Sequence, residues 1–200
     1  MYRNRDEIIL ASGSPRRQHY LQEMGLCFTV RTAAVHEQPF ARERPEDFVL
    51  RMAREKAMAV SIEFPDSWVI SGDTVVCLGD KILGKPADEH QAVALLMKLS
   101  GREHGVKTGF CVVHGTRGVE IARVVTTRVR FAEFSESVAR AYVATGESLD
   151  KAGAYGIQGK GILLVRSIAG SYSNVVGLPL CELVEVLQAH GVIEPDVVVS

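Results

Sequence analysis

The stretch Ile8-Ile9-Leu10-Ala11-Ser12-Gly13-Ser14-Pro15-Arg16-Arg17 joins two elements of different period. Ile8 to Ser12 is a short apolar run that reads as a strand and stops at Gly13. Ser14 suits a helix N-cap, and Pro15 suits the first helical position, where its missing N–H costs nothing. The helix is expected to run to about Met24. Its free N–H groups and dipole favour an anion at the start. Arg17 falls on the same face as Tyr20, Leu21 and Met24, the face a helix normally buries.

Outward from this stretch, Cys27 to Thr32 reads as a second strand, followed by a loop through Val35-His36-Glu37-Gln38-Pro39. Pro45 opens a long helix with Glu46 and Asp47 in its first turn. In that helix Lys56 lies in the apolar stripe of Val49, Met52, Ala53 and Val60. Trp68 to Leu78 is strand-like but interrupted by Ser71-Gly72-Asp73-Thr74. A turn and short strand cover Asp80 to Leu83, ahead of Gly84-Lys85-Pro86. A helix is expected from about Glu89 to Leu99, two strands near Val106 to His114 and Val119 to Phe131, and a helix over Ser135 to Ala144. Gly146 to Gly161 is glycine-rich. A strand over Leu163 to Ile168 and a helix over Leu178 to His190 complete the pattern. Strands and helices in alternation, with two adjacent β runs, indicate an α/β fold with a mixed sheet.

The chain has 200 residues, 46% of them hydrophobic, enough for one large or two-lobed domain with a proper core. Its 23 basic and 24 acidic residues leave a net charge of −1. That balance gives no support for nucleic-acid or membrane binding, so cations for a polyanionic ligand must be concentrated locally. Cys27, Cys77, Cys111 and Cys181 form no CxxC pair and read as four small core residues in a reducing compartment. The apolar run Ile8 to Ala11 is too short for a signal peptide or a membrane span, which points to the cytoplasm.

Several polar residues occupy positions where burial is costly. Lys56 and Arg17 each need an anionic partner, either a carboxylate of the protein or a phosphorylated ligand. Asp73, between Val69-Ile70 and Val75-Val76, is either a general base or metal ligand, or a structural carboxylate capping a bulge at Gly72. Glu37 alone reads as a solvated loop side chain, and Lys85 as a surface lysine that Gly84 and Pro86 could hold toward a ligand. His36, His104 and His114 show no metal-binding spacing. Gly156-x-x-Gly159-x-Gly161 is not the dinucleotide fingerprint, and neither a GxxxxGK[ST] loop nor a GxSxG elbow is present. Taken together, Arg16, Arg17, Lys56 and Lys85 as cations and Glu37 and Asp73 as carboxylates fit a polyphosphate, a divalent metal and a base.

Six separated blocks resemble the Maf-like nucleotide pyrophosphatases, in order and over nearly the whole chain. They are Ala11 to Arg17, Ser71-Gly72-Asp73-Thr74-Val75-Val76, Gly84-Lys85-Pro86, Ser100-Gly101-x-x-His104-x-Val106-x-Thr108, Asp150 to Gly159, and Gly170-Ser171-Tyr172-Ser173-Asn174-Val175-Val176-Gly177-Leu178-Pro179. Ser71 departs from the alanine or glycine common nearby, a change expected to leave the chemistry unaltered. The resemblance implies one domain over residues 1–200. Its fold would be an elongated mixed β-sheet with flanking helices and a cleft between two lobes, like the inosine triphosphate pyrophosphatases, often in a homodimer.

The resemblance also implies roles. Asp73 would be the proton acceptor. Ser12, Arg17, Glu37, Lys56, Lys85 and Gln158 would line a nucleoside triphosphate pocket, with Glu37 and Asp73 holding Mg²⁺ or Mn²⁺. Arg16, Thr74 and Gln158 match the branch that hydrolyses dTTP and UTP to monophosphate and pyrophosphate. The alternatives are the branch acting on 7-methyl-GTP, and a nucleotide-binding regulator of septum formation without significant turnover.

Overall fold

The computed structural model describes residues 1–197. In chain order the elements are β1 (Tyr2–Asn4), β2 (Ile8–Leu10), α1 (Pro15–Glu23), β3 (Thr29–Val30), α2 (Pro45–Glu63), β4 (Trp68–Leu78), β5 (Lys81–Leu83), α3 (Glu89–Leu99), β6 (Glu103–His114), β7 (Val119–Phe131), α4 (Glu136–Val143), β8 (Val165–Ala169), α5 (Tyr172–Val176), α6 (Leu180–Ala189) and β9 (Ile193–Pro195). Two 3₁₀ turns, Ala152–Ala154 and Gly159–Leu164, punctuate the glycine-rich segment. The main sheet has the order β3-β2-β4-β6-β7-β8, with β5 on β4. Parallel pairing of β2 with β3 and β4 coexists with antiparallel β4–β5 and β7–β8, so the sheet is mixed.

The chain forms two compact units, one of Met1–Asp73, Gly109–Val124 and residues from 177 onward, the other of Thr74–Thr108 and Val125–Val176. The first has a core in which Ala53, Ala57 and Val60 of α2 meet Ile9, Val69, Cys111 and Val113 of the sheet. The helix lies unusually close to the strands: a Cβ on Gly109 of β6 would sit 2.3 Å from the Val49 carbonyl oxygen. No side chain fits there, so the glycine sets the depth at which α2 rests. Ser71 of β4 adds a hydrogen bond from its hydroxyl to the Ala53 carbonyl. That contact ties the helix to the strand one turn before Lys56.

The second unit is centred on Leu96 and Leu99 of α3, Val106, Phe131, Tyr142 of α4 and Tyr155. Gly153, at φ 69°, brings the backbone against Val76, where a Cβ would lie 2.9 Å from Cγ1. Its N–H donates to the Gly84 carbonyl at 3.1 Å. The glycine-rich segment is therefore packed and hydrogen-bonded.

Three expectations change, and one strand pair appears for which the sequence reading made no assignment. Trp68–Leu78 is one continuous strand, because Ser71 and Gly72 are held in it by α2 and by β6 rather than released into a bulge. The Cys27 to Thr32 strand shrinks to Thr29–Val30, which pairs with β2 at the edge of the sheet. The charged N-terminus forms β1 against β9, where Arg3 pairs with Glu194. Cys77 and Cys111 are buried, but Cys27 and Cys181 are exposed; all four thiols are free.

His104 sits in the second unit's core, edge-on to Phe131, with Nε2 2.7 Å from the Tyr155 hydroxyl. Burial pushes its pKa down from the ordinary 6.5 to about 4. The unfolded chain then binds the proton more tightly. Stability from neutral His104 is complete above pH 6.5 and is lost as the pH falls toward 4, a change on the order of 3 kcal/mol. His104→Gln, which keeps a polar group for Tyr155, should flatten the fall in unfolding free energy between pH 7.5 and 4.5 by roughly 2 kcal/mol. Urea titrations of parent and variant at both pH values measure it.

Candidate active site

The first unit gathers Ser12, Arg16, Arg17, Glu37, Lys56 and Asp73. Ser12 follows the end of β2, and Pro15 opens α1. The Ser14 side chain makes no capping bond; its backbone N–H donates instead to Ser12 Oγ at 3.3 Å. Arg17 is buried. Its Nη1 donates to Ser12 Oγ at 3.0 Å, and its Nε to the Gly177 carbonyl at 2.8 Å. Ser12 Oγ thus accepts two hydrogen bonds and retains its own proton to donate.

Arg17 reaches this position because Gly72 has no side chain. A Cβ there would lie 3.3 Å from Arg17 Nε. Burial pushes the Arg17 guanidinium down, the negative charge of Asp73 opposes this, the neighbouring Arg16 adds to it, and Glu37 opposes it. Guanidinium stays protonated in proteins, so a charged arginine is stored beside Asp73.

Lys56 projects from the buried face of α2, and its ammonium is shared. Nζ is 2.8 Å from Asp73 Oδ1 and 2.6 Å from Glu37 Oε1. Of the two partners open to Lys56 in the sequence, a carboxylate of the protein or a phosphorylated ligand, the structure supplies the first: two carboxylates hold it. They are not equivalent. The Asp73 side chain is 15% exposed and that of Glu37 58%, so solvent screens the shorter contact and Asp73 is the stronger partner.

The Glu37 loop is fastened by Arg51, which the sequence reading passed over. Its guanidinium donates to both Glu43 oxygens at 2.7 Å and to the Gln38 carbonyl at 3.1 Å, and lies 3.9 Å from the centre of the Phe40 ring. Hydrogen bonding to Arg51 holds the Glu43 carboxyl below the usual range. The clue in the sequence is a charged residue five positions before a helix's costly lysine.

The remaining candidates lie in the second unit. Thr74 Oγ1 is 2.9 Å from Thr108 Oγ1. Lys85 is exposed after β5, and Gln158 is exposed at the start of the second 3₁₀ turn. Gly84 links their two segments through the Gly153 N–H.

Among the described residues, no group of three or more His, Cys, Asp or Glu side chains converges. Glu37 and Asp73 supply two carboxylates. That donor set suits Mg²⁺ or Mn²⁺, which typically take one or two protein carboxylates with waters and substrate phosphate oxygens completing the shell. The residues present fit such an ion.

The profile of the Maf-like protein family matches residues 7–190. This chain belongs to that family.

Among its Maf-like relatives, a dTTP/UTP pyrophosphatase of Desulfotalea psychrophila is 55% identical over 193 residues, covering 96% of this chain and 99% of that protein. One from Geobacter sulfurreducens is 46% identical over 184 residues, covering 92% and 96%. One from Myxococcus xanthus is 48% identical over 184 residues, covering 92% of each. In fold, the Maf-like chain is similar to the Staphylococcus aureus Ham1 protein, with a TM-score of 0.51 and 13% identity over 92% of this chain and 97% of that one.

The shared ammonium leads to a testable imbalance. Lys56→Met leaves Asp73 without the ammonium 2.8 Å away and should destabilise the protein by about 1–3 kcal/mol, less than for a fully buried pair. Adding Asp73→Asn to that variant should recover most of the loss, because the two residues are coupled. Thermal melts of the parent, both single variants and the double variant give the coupling energy. Additive losses would mean that the 2.8 Å contact contributes nothing.

Proposed function

We propose that this protein is a nucleoside triphosphate pyrophosphatase that hydrolyses dTTP and UTP to the monophosphate and pyrophosphate. One observation carries the reading: a buried arginine and a lysine shared between two carboxylates are assembled on Gly72-Asp73, at the end of β2 and the start of α1. The names of the relatives point to the same substrates.

A triphosphate competes with Glu37 and Asp73 for Lys56. Once phosphate oxygens engage the ammonium, Asp73 is released as an acceptor for the proton of the water attacking the α-phosphorus. Glu37 and Asp73 are the residues that would hold a Mg²⁺ or Mn²⁺ ion, which supplies positive charge against the phosphate oxygens. Arg17, Lys56 and Lys85 are assigned to offset the charge developing on the leaving pyrophosphate. Ser12 donates its hydroxyl proton to a phosphate oxygen. Arg16, Thr74 and Gln158 read the base; the Gln158 amide carries the donor and the acceptor that a uracil edge needs.

The reading extends to residues 1–200 as a single functional domain, supported by a family match that runs through both compact units. It places the protein in the cytoplasm, supported by four free thiols, and gives it no nucleic-acid or membrane partner, supported by the near-neutral charge. Among the described residues no helix is long and apolar enough to cross a membrane. A homodimer follows from the family resemblance.

Hydrolysis of UTP in H₂¹⁸O tests the reaction. The label should appear in UMP and not in pyrophosphate; orthophosphate as the first product would place attack at the γ-phosphorus and overturn the proposal. Asp73→Asn should lower kcat by about 10²–10⁴-fold while nucleotide still binds. Activity within a few-fold of the parent would remove Asp73 as proton acceptor. For the base, Thr74→Gln combined with Gln158→Glu should reduce kcat/KM for dTTP and UTP relative to 7-methyl-GTP by roughly ten- to a hundredfold. Measuring both substrates on one preparation cancels any loss of folded protein.

A further inference from the structure

The glycine-rich segment after α4 has no assigned chemistry apart from Gln158, and it belongs wholly to the second unit. Gly156, Gly159 and Gly161 surround Gln158 and bring no side chains that could anchor the backbone. Gln158 is exposed and opens the second 3₁₀ turn, but its side chain makes no capping bond there. The turn is capped from elsewhere. Glu147, in the connection that follows α4, is half-buried, and its carboxylate accepts the Lys160 N–H, with Oε2 at 3.0 Å and Oε1 at 3.3 Å. Gly159 makes room for it: φ is 67°, in the left-handed region, and a Cβ there would lie 2.9 Å from Glu147 Oε2. A glycine is needed at this position for its dihedral angle and again for the carboxylate.

A second hold lies on the other side of Gln158. The hydroxyl of Tyr142, buried near the end of α4, accepts the Gly156 N–H at 3.1 Å. The backbone N–H groups two residues before and two residues after Gln158 are thus both taken by side chains from α4 and the connection beyond it. Before Gln158, the buried side chain of Ile157 adds to the hold. After it, Gly159 and Lys160 are exposed, and the Glu147 carboxylate is what grips the backbone. Glu147 is itself fixed. Its backbone carbonyl accepts from Lys151 Nζ at 2.6 Å, and the Lys151 stem runs along Gly156, where a Cβ would lie 2.9 Å from Cε.

We propose that Glu147 is a positioning residue for base recognition: by clamping the backbone behind Gln158 it presets the direction in which the Gln158 amide meets the nucleobase. The proposal rests on the reading of Gln158 as a contact of the base. An exposed glutamine on a glycine-rich loop loses conformational freedom when it binds, and that loss weakens binding. A backbone already held on both sides lowers the loss. It also keeps the amide's donor and acceptor on one base edge rather than letting them swing. Phosphate makes no use of the amide and gains nothing from the clamp.

The test measures dissociation constants for UMP and for pyrophosphate by calorimetry on the full chain, with Mg²⁺ present. The fraction of folded protein enters the stoichiometry and not the constants. Glu147→Ala should weaken UMP by about tenfold and pyrophosphate by less than about twofold. Glu147→Gln keeps a carbonyl oxygen for the Lys160 N–H and should stay within about threefold of the parent for UMP. Gln158→Ala should weaken UMP about as much as Glu147→Ala does. The double variant should bind UMP no more than about twofold more weakly than Gln158→Ala alone, because Glu147 acts through Gln158. Equal weakening of both ligands in Glu147→Ala is what a merely structural role gives, and it overturns the proposal. Losses that add in the double variant overturn it too, as does a Glu147→Gln protein as weak as Glu147→Ala. If Gln158→Ala weakens UMP and Glu147→Ala does not, the clamp is wrong while the base contact stands. If Gln158→Ala leaves UMP binding unchanged, the base contact is wrong and the clamp falls with it.

Discussion

The Lys56 ammonium, held at 2.8 Å from Asp73 and 2.6 Å from Glu37, is the contact on which the first unit's polar centre depends. A carboxylate within an apolar strand and an ammonium within a helix's apolar stripe are each unfavourable alone. Each is tolerated because the other is there. The pairing needs α2 close to β4 and β6, and that distance is set by Gly109, whose missing side chain admits the helix backbone, and by Ser71, whose hydroxyl holds the Ala53 carbonyl. Packing and electrostatics are not separable here: a side chain at Gly109 would lift the helix and strand the charge.

The same centre is asymmetric in a way that suits turnover. Asp73 is shielded and Glu37 is largely in solvent, on a loop tied down through Arg51 and Glu43. Arg17 stays beside them, its charge opposed in part by that of Asp73, with Nη1 donating to Ser12 and Nε to the Gly177 carbonyl. In the proposed reaction a polyphosphate displaces the solvent-screened Glu37 contact more readily than the shielded Asp73 contact. The second unit works by a different principle. Its polar residues around Thr74 carry no charge: Thr74, Thr108, Thr127 and Asn174 are joined by hydrogen bonds among hydroxyls, an amide and backbone carbonyls.

Much of the architecture was legible in the residues. The Ile8 to Arg17 strand-to-helix passage, the Pro45 helix and the two long strands up to Phe131 follow from period and punctuation, because those signals are local. Arg17 and Lys56 stood out for the same reason: charge on an apolar stripe is visible in one dimension. Elements made by distant partners were not legible. β1 looks like a charged tail until β9 supplies the other edge, and β4 looks broken at Ser71-Gly72 until α2 and β6 close around it. Cys27 and Cys181 sit in apolar stretches yet are exposed, because burial is decided by what packs on a stretch and not by its composition.

The sequence by itself determined the α/β class, the order of the main elements, the family, and the set of charged residues that need partners. Only the tertiary structure decided who the partners are. That Lys56 is shared by Asp73 and Glu37, that Arg51 anchors the loop carrying Glu37, and that Thr74 and Thr108 share a hydrogen bond are facts about residues 8 or more positions apart. Their chemistry depends on distances of about 3 Å and on the direction of single protons. A linear pattern shows that a buried charge must be answered. It does not show which residue answers it, since that is set by how helix and strand pack.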